Sequence, residues 1–169
     1  MSTRLKIQIA VGLLLFVLVT VAHGKLTESM KRPPTVPDNV RIVEGDRLEL
    51  DGTRIRLFGI DAPELAQDCG EPKRRYPCGQ EAKAALETLF LKAANIACER
   101  KEEDQDGWTL AVCRVDGLDV GRELVKDGQA LADRYYSFAY SKEEQEAKQA
   151  GRGLWAGAFQ PPWEWRSAQ

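Results

Sequence analysis

From Val40 onward the chain alternates between apolar and polar residues. Val40-Arg-Ile-Val, Arg47-Leu-Glu-Leu and Thr53-Arg-Ile-Arg-Leu-Phe have the period of half-buried strands, and Asp51-Gly52 supplies a tight hairpin turn. The pattern puts Arg54 and Arg56 on one face and Ile55 and Leu57 on the other. Arg56 and Asp61 are an odd number of residues apart and would point oppositely on a regular strand, so Gly59 is the expected bulge or bend that brings them together. From Gly79 to Ala94 the period lengthens: Ala82, Leu86, Leu89, Phe90 and Ala93 share one helical face. Two short runs, Asn95-Ile-Ala-Cys98 and Leu110-Ala-Val-Cys113, flank the polar turn Glu102 to Gly107 and predict a second hairpin. A helix near Val120 to Asp127 ends at Gly128, and another runs from Ser141, where Ser141 and Glu144 spell a capping box, to Gly151. Three strands, a helix, two strands and two helices fit an α+β fold: a five-stranded Greek-key barrel, the OB-fold, with about three packed helices.

The ends of the chain read differently. Arg4 and Lys6 precede an apolar run from Ile7 to Ala22, followed by the small residue Gly24, the order of an export signal. The run is shorter than the ~20 residues that span a bilayer comfortably. Residues 1–24 are therefore expected to be a cleaved signal, with an uncleaved inner-membrane anchor as the alternative, and the remainder to be periplasmic or secreted. Residues 25–39, with Pro33, Pro34 and Pro37, read as a linker, 40–158 as the domain, and 159–169 as an aromatic and proline-containing tail.

An oxidising compartment turns the four cysteines into evidence about disulfides. They lack the paired C-x-x-C spacing of a zinc site. If the second hairpin pairs about its turn, Cys98 and Cys113 face each other, which leaves Cys69 with Cys78. The single histidine, His23, falls inside the export segment, so histidine-dependent bases, triads and zinc ligands are excluded from the mature domain. After Gly24 the chain holds 22 basic and 26 acidic residues, a net charge of −4, which lowers the expectation of general nucleic-acid binding. The run Lys73-Arg74-Arg75 reads equally as a phosphate contact or as a solvated loop.

The chemistry concentrates in Arg56-Leu-Phe-Gly-Ile-Asp61-Ala-Pro-Glu64, preceded by Gly45-Asp46. Carboxylate oxygens suit Ca²⁺, a guanidinium suits a phosphodiester, and a remaining glutamate can take a proton from water. From spacing alone, an ordinary turn with a structural Arg56 ion pair explains the same residues equally well.

Here the chain resembles the staphylococcal nuclease, or thermonuclease, family, whose hallmark is an Arg-x-x-x-x-Asp-x-Pro-Glu run after a Gly-Asp strand. The resemblance continues through Gly79-Gln80-Glu81-Ala82, Asp104-x-x-Gly107-x-x-Leu110-Ala111, Leu124-Val125-x-x-Gly128-x-Ala130 and Gly153-Leu154-Trp155, and covers roughly Val40 to Phe159. It implies the OB-fold, Ca²⁺ bound by Asp46, Asp61 and the Ala62 carbonyl, Arg56 on the scissile phosphate, Glu64 as base, and DNA or RNA as substrate. One departure stands out: where the family has a second arginine after Gly107 and a tyrosine before it, this chain has Trp108 and Asp106. Trp108 is then either a base-stacking residue or a surface aromatic, and Arg100 and Arg114, on the flanking strands, are the candidates for a replacement guanidinium. The tail tryptophans Trp163 and Trp165 read as an aromatic clamp on the barrel more than as base-stacking groups. Two expectations follow. The first is an exported Ca²⁺-dependent phosphodiesterase of reduced activity; the second is an inactive nuclease-like envelope protein with a binding role, for example in exopolysaccharide biosynthesis.

Overall fold

Residues 35–169 are described by a computed structural model, within which Val36–Gln169 forms one unit. The expected export segment, His23 and most of the linker lie outside the described residues. Strands β1 (Val40–Ile42), β2 (Arg47–Leu50) and β3 (Thr53–Leu57) form an antiparallel meander in the register Val40↔Leu50 and Leu48↔Ile55. Asp51 and Gly52 both have positive φ, 50° and 78°, which is what a two-residue hairpin turn matched to strand twist requires. Ile55 and Leu57 are buried and Arg54 is exposed, as the alternation dictates.

After Gly59 the chain leaves this sheet. Strand β4 (Ile60–Asp61) pairs with the distant β8 (Leu131–Ala132), and helix α1 (Cys78–Phe90) then buries Ala82, Leu86 and Phe90 against the sheet. Strands β5 (Ile96–Glu103) and β6 (Thr109–Val115) form the expected hairpin, with Cys98 opposite Cys113 and a bulge between Arg100 and Glu102. Strand β6 docks parallel to β3, so the main sheet runs β1-β2-β3-β6-β5, with the short β7 (Leu118–Asp119) added on β6. β1 and β5 end this path unpaired among the described residues, so the OB-like sheet is an open barrel, and β4 and β8 form a separate two-stranded sheet.

Helix α2 (Val120–Lys126) is capped by Asp119, whose Oδ1 accepts from the Arg122 N–H at 3.1 Å. Helix α3 (Ser141–Ala150) stops at Gly151, φ 60°, as expected, but its capping box does not form. The Ser141 hydroxyl is buried without a partner, since the Glu144 N–H donates to the Tyr140 carbonyl at 3.0 Å, and the Glu144 carboxylate turns inward to accept from the Ala132 N–H, Arg134 and Lys148. The tail after the 3₁₀ turn Gly153–Ala156 is also more ordered than its composition indicates. Pro161 leads into a short helix α4 (Pro162–Ser167), proline being suited to a helix's first residue. A small second core of Cys69, Cys78, Leu131 and Leu154, with Trp155 and Phe159 packed on it, anchors that tail. Both predicted disulfides are present, Cys69–Cys78 and Cys98–Cys113.

Candidate active site

Two glycines set the spacing of the site before any charged group enters it. A Cβ on Gly45 would lie 2.7 Å from the Ala82 Cβ and 2.8 Å from the Ala62 Cβ, so only glycine lets the β1–β2 connection rest on α1 and the Asp61-Ala62 segment together. This places Asp46, whose carbonyl accepts from the Leu57 N–H at 2.8 Å, directly beside β3. A Cβ on Gly79 would lie 1.8 Å from the Glu64 carbonyl oxygen, so the start of α1 sits against the turn that carries Glu64. The bend at Gly59, φ 78°, then brings Asp61 back toward Arg56.

The charged groups meet as the motif predicts. The Arg56 guanidinium donates from Nε to Asp46 Oδ2 and from Nη2 to Asp61 Oδ1, both at 3.3 Å. Asp46 and Asp61 are buried, and Ala62 lies beside them, buried as well. Burial, followed in effect by the Asp61 and Glu64 charges and opposed by Arg56 and Arg47, pushes the Asp46 carboxyl up to about 6. Burial works against the charge of Arg56 too, but Asp46 and Asp61 outweigh it and raise its pKa. Asp46 and Asp61 are neighbouring buried carboxylates whose oxygens are hard ligands, so the residues present fit Ca²⁺. Among the described residues no three His, Cys, Asp or Glu side chains gather as a metal shell, so Asp46 and Asp61 would need the Ala62 carbonyl, water or substrate oxygens to complete one.

A group that the motif does not contain completes the cluster. Arg166, on α4, donates from Nη2 to Asp61 Oδ2 at 2.8 Å, from Nη1 to Asp61 Oδ1 at 3.0 Å, and from Nη1 to Glu64 Oε1 at 2.6 Å. These bonds, the one to Asp61 first, outweigh burial and raise the Arg166 pKa further above its ordinary value. Asp61 is thus clasped by two guanidinium groups. Both arginines line a cleft of about 720 Å³, with Tyr135, Trp155 and Trp163 among its other walls. The sequence carried one signal for Arg166, the Pro161-Pro162 helix start just upstream, but nothing local to name its partner 105 residues away.

The remaining candidates lie elsewhere. Trp108 is buried, with the Arg54 guanidinium carbon 4.2 Å and that of Arg47 5.5 Å from its ring centroid, and it does not line the cleft. Arg100 is exposed and paired with Glu103 at 3.0 Å; Arg114 is exposed opposite Ala97 and Asp119. The structure brings neither into contact with Asp46, Arg56, Asp61 or Glu64. Lys73, Arg74 and Arg75 are exposed on the loop between the bridged Cys69 and Cys78.

Residues 54–157 match the family described as staphylococcal nuclease homologue, a span that begins on β3 and includes Arg56, Asp61 and Glu64. The chain belongs to the staphylococcal nuclease family. Among curated relatives, a micrococcal nuclease of Shigella flexneri is 30% identical over 147 residues, covering 76% of this chain and 79% of that protein. A succinoglycan biosynthesis protein of Rhizobium meliloti is 35% identical over 117 residues, 68% of this chain and 61% of the relative. An uncharacterized endonuclease of Haemophilus influenzae is 33% identical over 124 residues, 69% of this chain and 64% of the relative. This staphylococcal nuclease homologue therefore spans under two thirds of the length of the latter two, and the proteins it is similar to include some named as nucleases and one named for polysaccharide biosynthesis. Arg166 lies beyond the matched family span.

Proposed function

We propose that this chain is an exported, Ca²⁺-dependent phosphodiesterase that hydrolyses DNA or RNA. The observation that carries the reading is Arg56, held by buried carboxylates on two sides at 3.3 Å and opening onto the cleft. A guanidinium fixed in this way can meet a phosphodiester without first being ordered, which is the preorganisation that electrostatic catalysis needs. Asp46, Asp61 and the Ala62 carbonyl would hold Ca²⁺, which when bound neutralises charge on the phosphate. Glu64 keeps one oxygen, Oε2, outside its bond to Arg166, and that oxygen is free to accept the proton of the attacking water. Water oxygen bonds to phosphorus, the bond from phosphorus to the leaving sugar oxygen breaks, the water's proton goes to Glu64, and the leaving oxygen takes one from solvent. Two disulfides support export to an oxidising compartment.

The likeness to the succinoglycan biosynthesis protein favours a second reading, a nuclease-like envelope protein that binds polysaccharide without cutting nucleic acid. Incubating the protein with single-stranded DNA and RNA, in Ca²⁺ and in chelator, separates the two. Ca²⁺-dependent cleavage that Arg56→Ala and Glu64→Gln abolish is the expected result. Absence of cleavage in wild type together with saturable polysaccharide binding would replace the first reading with the second.

A further inference from the structure

The clasp on Asp61 has two halves, and only one belongs to the motif. Arg56 directs two of its five N–H groups to Asp46 and Asp61, and Arg166 directs three of its five to Asp61 and Glu64, so among the described residues each keeps donors without a protein acceptor. Neither guanidinium appears among the buried polar atoms lacking partners, and Arg166 is about a third exposed, at 35%. Their spare donors therefore face solvent or the cleft that both groups line. A phosphodiester presents two non-bridging oxygens that share one negative charge, and attack by water adds a second charge to the same phosphorus. One guanidinium can hold one edge of that group; the other edge needs a second donor.

We propose that Arg166, delivered from the C-terminal helix α4, is the second phosphate-binding guanidinium of this site and acts with Arg56 on the phosphate of a nucleic-acid strand. This inference rests on the phosphodiesterase reading. Asp61 serves as the common post: its Oδ1 accepts from Arg56 at 3.3 Å and from Arg166 at 3.0 Å, which fixes the two forks relative to each other. Arg166 is itself held in place from outside α4. The Gln67 side chain, buried, accepts from the Glu64 N–H at 3.3 Å and donates to the Gln160 carbonyl at 2.7 Å, tying the base-bearing turn to the start of the tail. The Gly70 N–H donates to the Ala158 carbonyl at 2.7 Å. The positive charge that Trp108 does not offer the cleft thus enters from the other end of the chain. On this inference the site holds two guanidinium groups despite the departure at Asp106 and Trp108.

The test uses the disulfide-intact protein and two dinucleotide probes, one joined by a phosphodiester and one by an uncharged methylphosphonate, titrated calorimetrically in Ca²⁺ and in chelator. Cleavage of single-stranded DNA is followed in parallel. Wild type is expected to prefer the charged probe at least tenfold. Arg166→Ala should lose most of that preference and lower kcat by about 10²-fold or more, with partial recovery on adding guanidinium ion. Should Arg166→Ala fail to fold, Arg166→Lys keeps a positive charge beside Asp61 and Glu64 but not the fork, and the same loss of preference is expected of it. Arg166 variants that cleave and discriminate like wild type overturn this inference and leave the phosphodiesterase reading intact. Variants that bind Ca²⁺ more tightly and cut faster overturn it as well, because Arg166 would then be a cation standing in the metal's way. A wild type that neither discriminates nor cleaves removes the phosphodiesterase reading, and this inference with it.

Discussion

Trp108 sits beneath two guanidinium groups, and this position decides what it contributes. Its buried ring faces the guanidinium groups of the half-buried Arg47 and the exposed Arg54, so it stabilises the β3–β6 junction away from the cleft that Arg56 lines. Trp108→Arg, which the family comparison recommends as a repair, would place a third positive charge between those two. It is expected to lower stability by about 1–3 kcal/mol and to leave cleavage no faster, as denaturant titration and a nuclease assay would show. A rise in Ca²⁺-dependent cleavage of tenfold or more would mean that the arginine reaches the phosphate after all. Tyr140 offers a pH-dependent case. Its hydroxyl donates to Asp119 at 3.1 Å, and burial first, then the Asp119 charge, raise its pKa above the ordinary 10.0. The folded state therefore holds this proton more tightly than the unfolded chain. The stability it lends is complete below pH 10 and drains away as pH climbs above it. Urea midpoints measured from pH 8 upward should fall in wild type above pH ~10 more steeply than in Tyr140→Phe.

At the scale of elements, the site depends on how closely α1 approaches the turn carrying Glu64. Gly79→Ala pushes a methyl group toward the Glu64 carbonyl, where it would lie 1.8 Å away, so either the helix or the turn must move. The expected outcome is a folded protein destabilised by about 1–3 kcal/mol whose nuclease activity falls much further than its stability, since Glu64 shifts relative to Asp61. Activity that tracks only the folded fraction would show that the turn tolerates the displacement. What was legible in the sequence follows the same division between local and distant causes. Asp51-Gly52 dictates its hairpin, the alternation in Thr53–Leu57 dictates which face Arg56 occupies, and the Cys98 and Cys113 runs dictate their register, because each signal acts across a few residues or one turn. The Ser141–Glu144 capping box failed because Glu144 had better partners in Ala132, Arg134 and Lys148, two of which belong to other segments. Arg166 was illegible for the same reason. Nothing adjacent to it specifies Asp61.

For the whole molecule, the two disulfides have unequal consequences. Cys98–Cys113 joins strands already paired in register, whereas Cys69–Cys78 closes the loop on which the tail rests through the Gly70–Ala158 hydrogen bond and the small core around Leu154. Replacing either pair with serine should cost about 2–5 kcal/mol. At a temperature where both variants remain folded, only the Cys69/Cys78 variant is expected to lose most of its cleavage, because only it loosens the support of Arg166. Equal activities would show that α4 holds its position without the bridge. The separation of 105 residues between Asp61 and Arg166 also bears on the order in which the molecule assembles. Asp46, Arg56, Asp61 and Glu64 are neighbours on one stretch of chain and can meet as soon as β3 and α1 form. Arg166 closes a far longer loop, which costs more chain entropy. Refolding followed both by burial of the core around Leu48 and Phe90 and by binding of a phosphodiester probe is expected to show the second lagging the first; coincident recovery would show that the tail closes together with the rest.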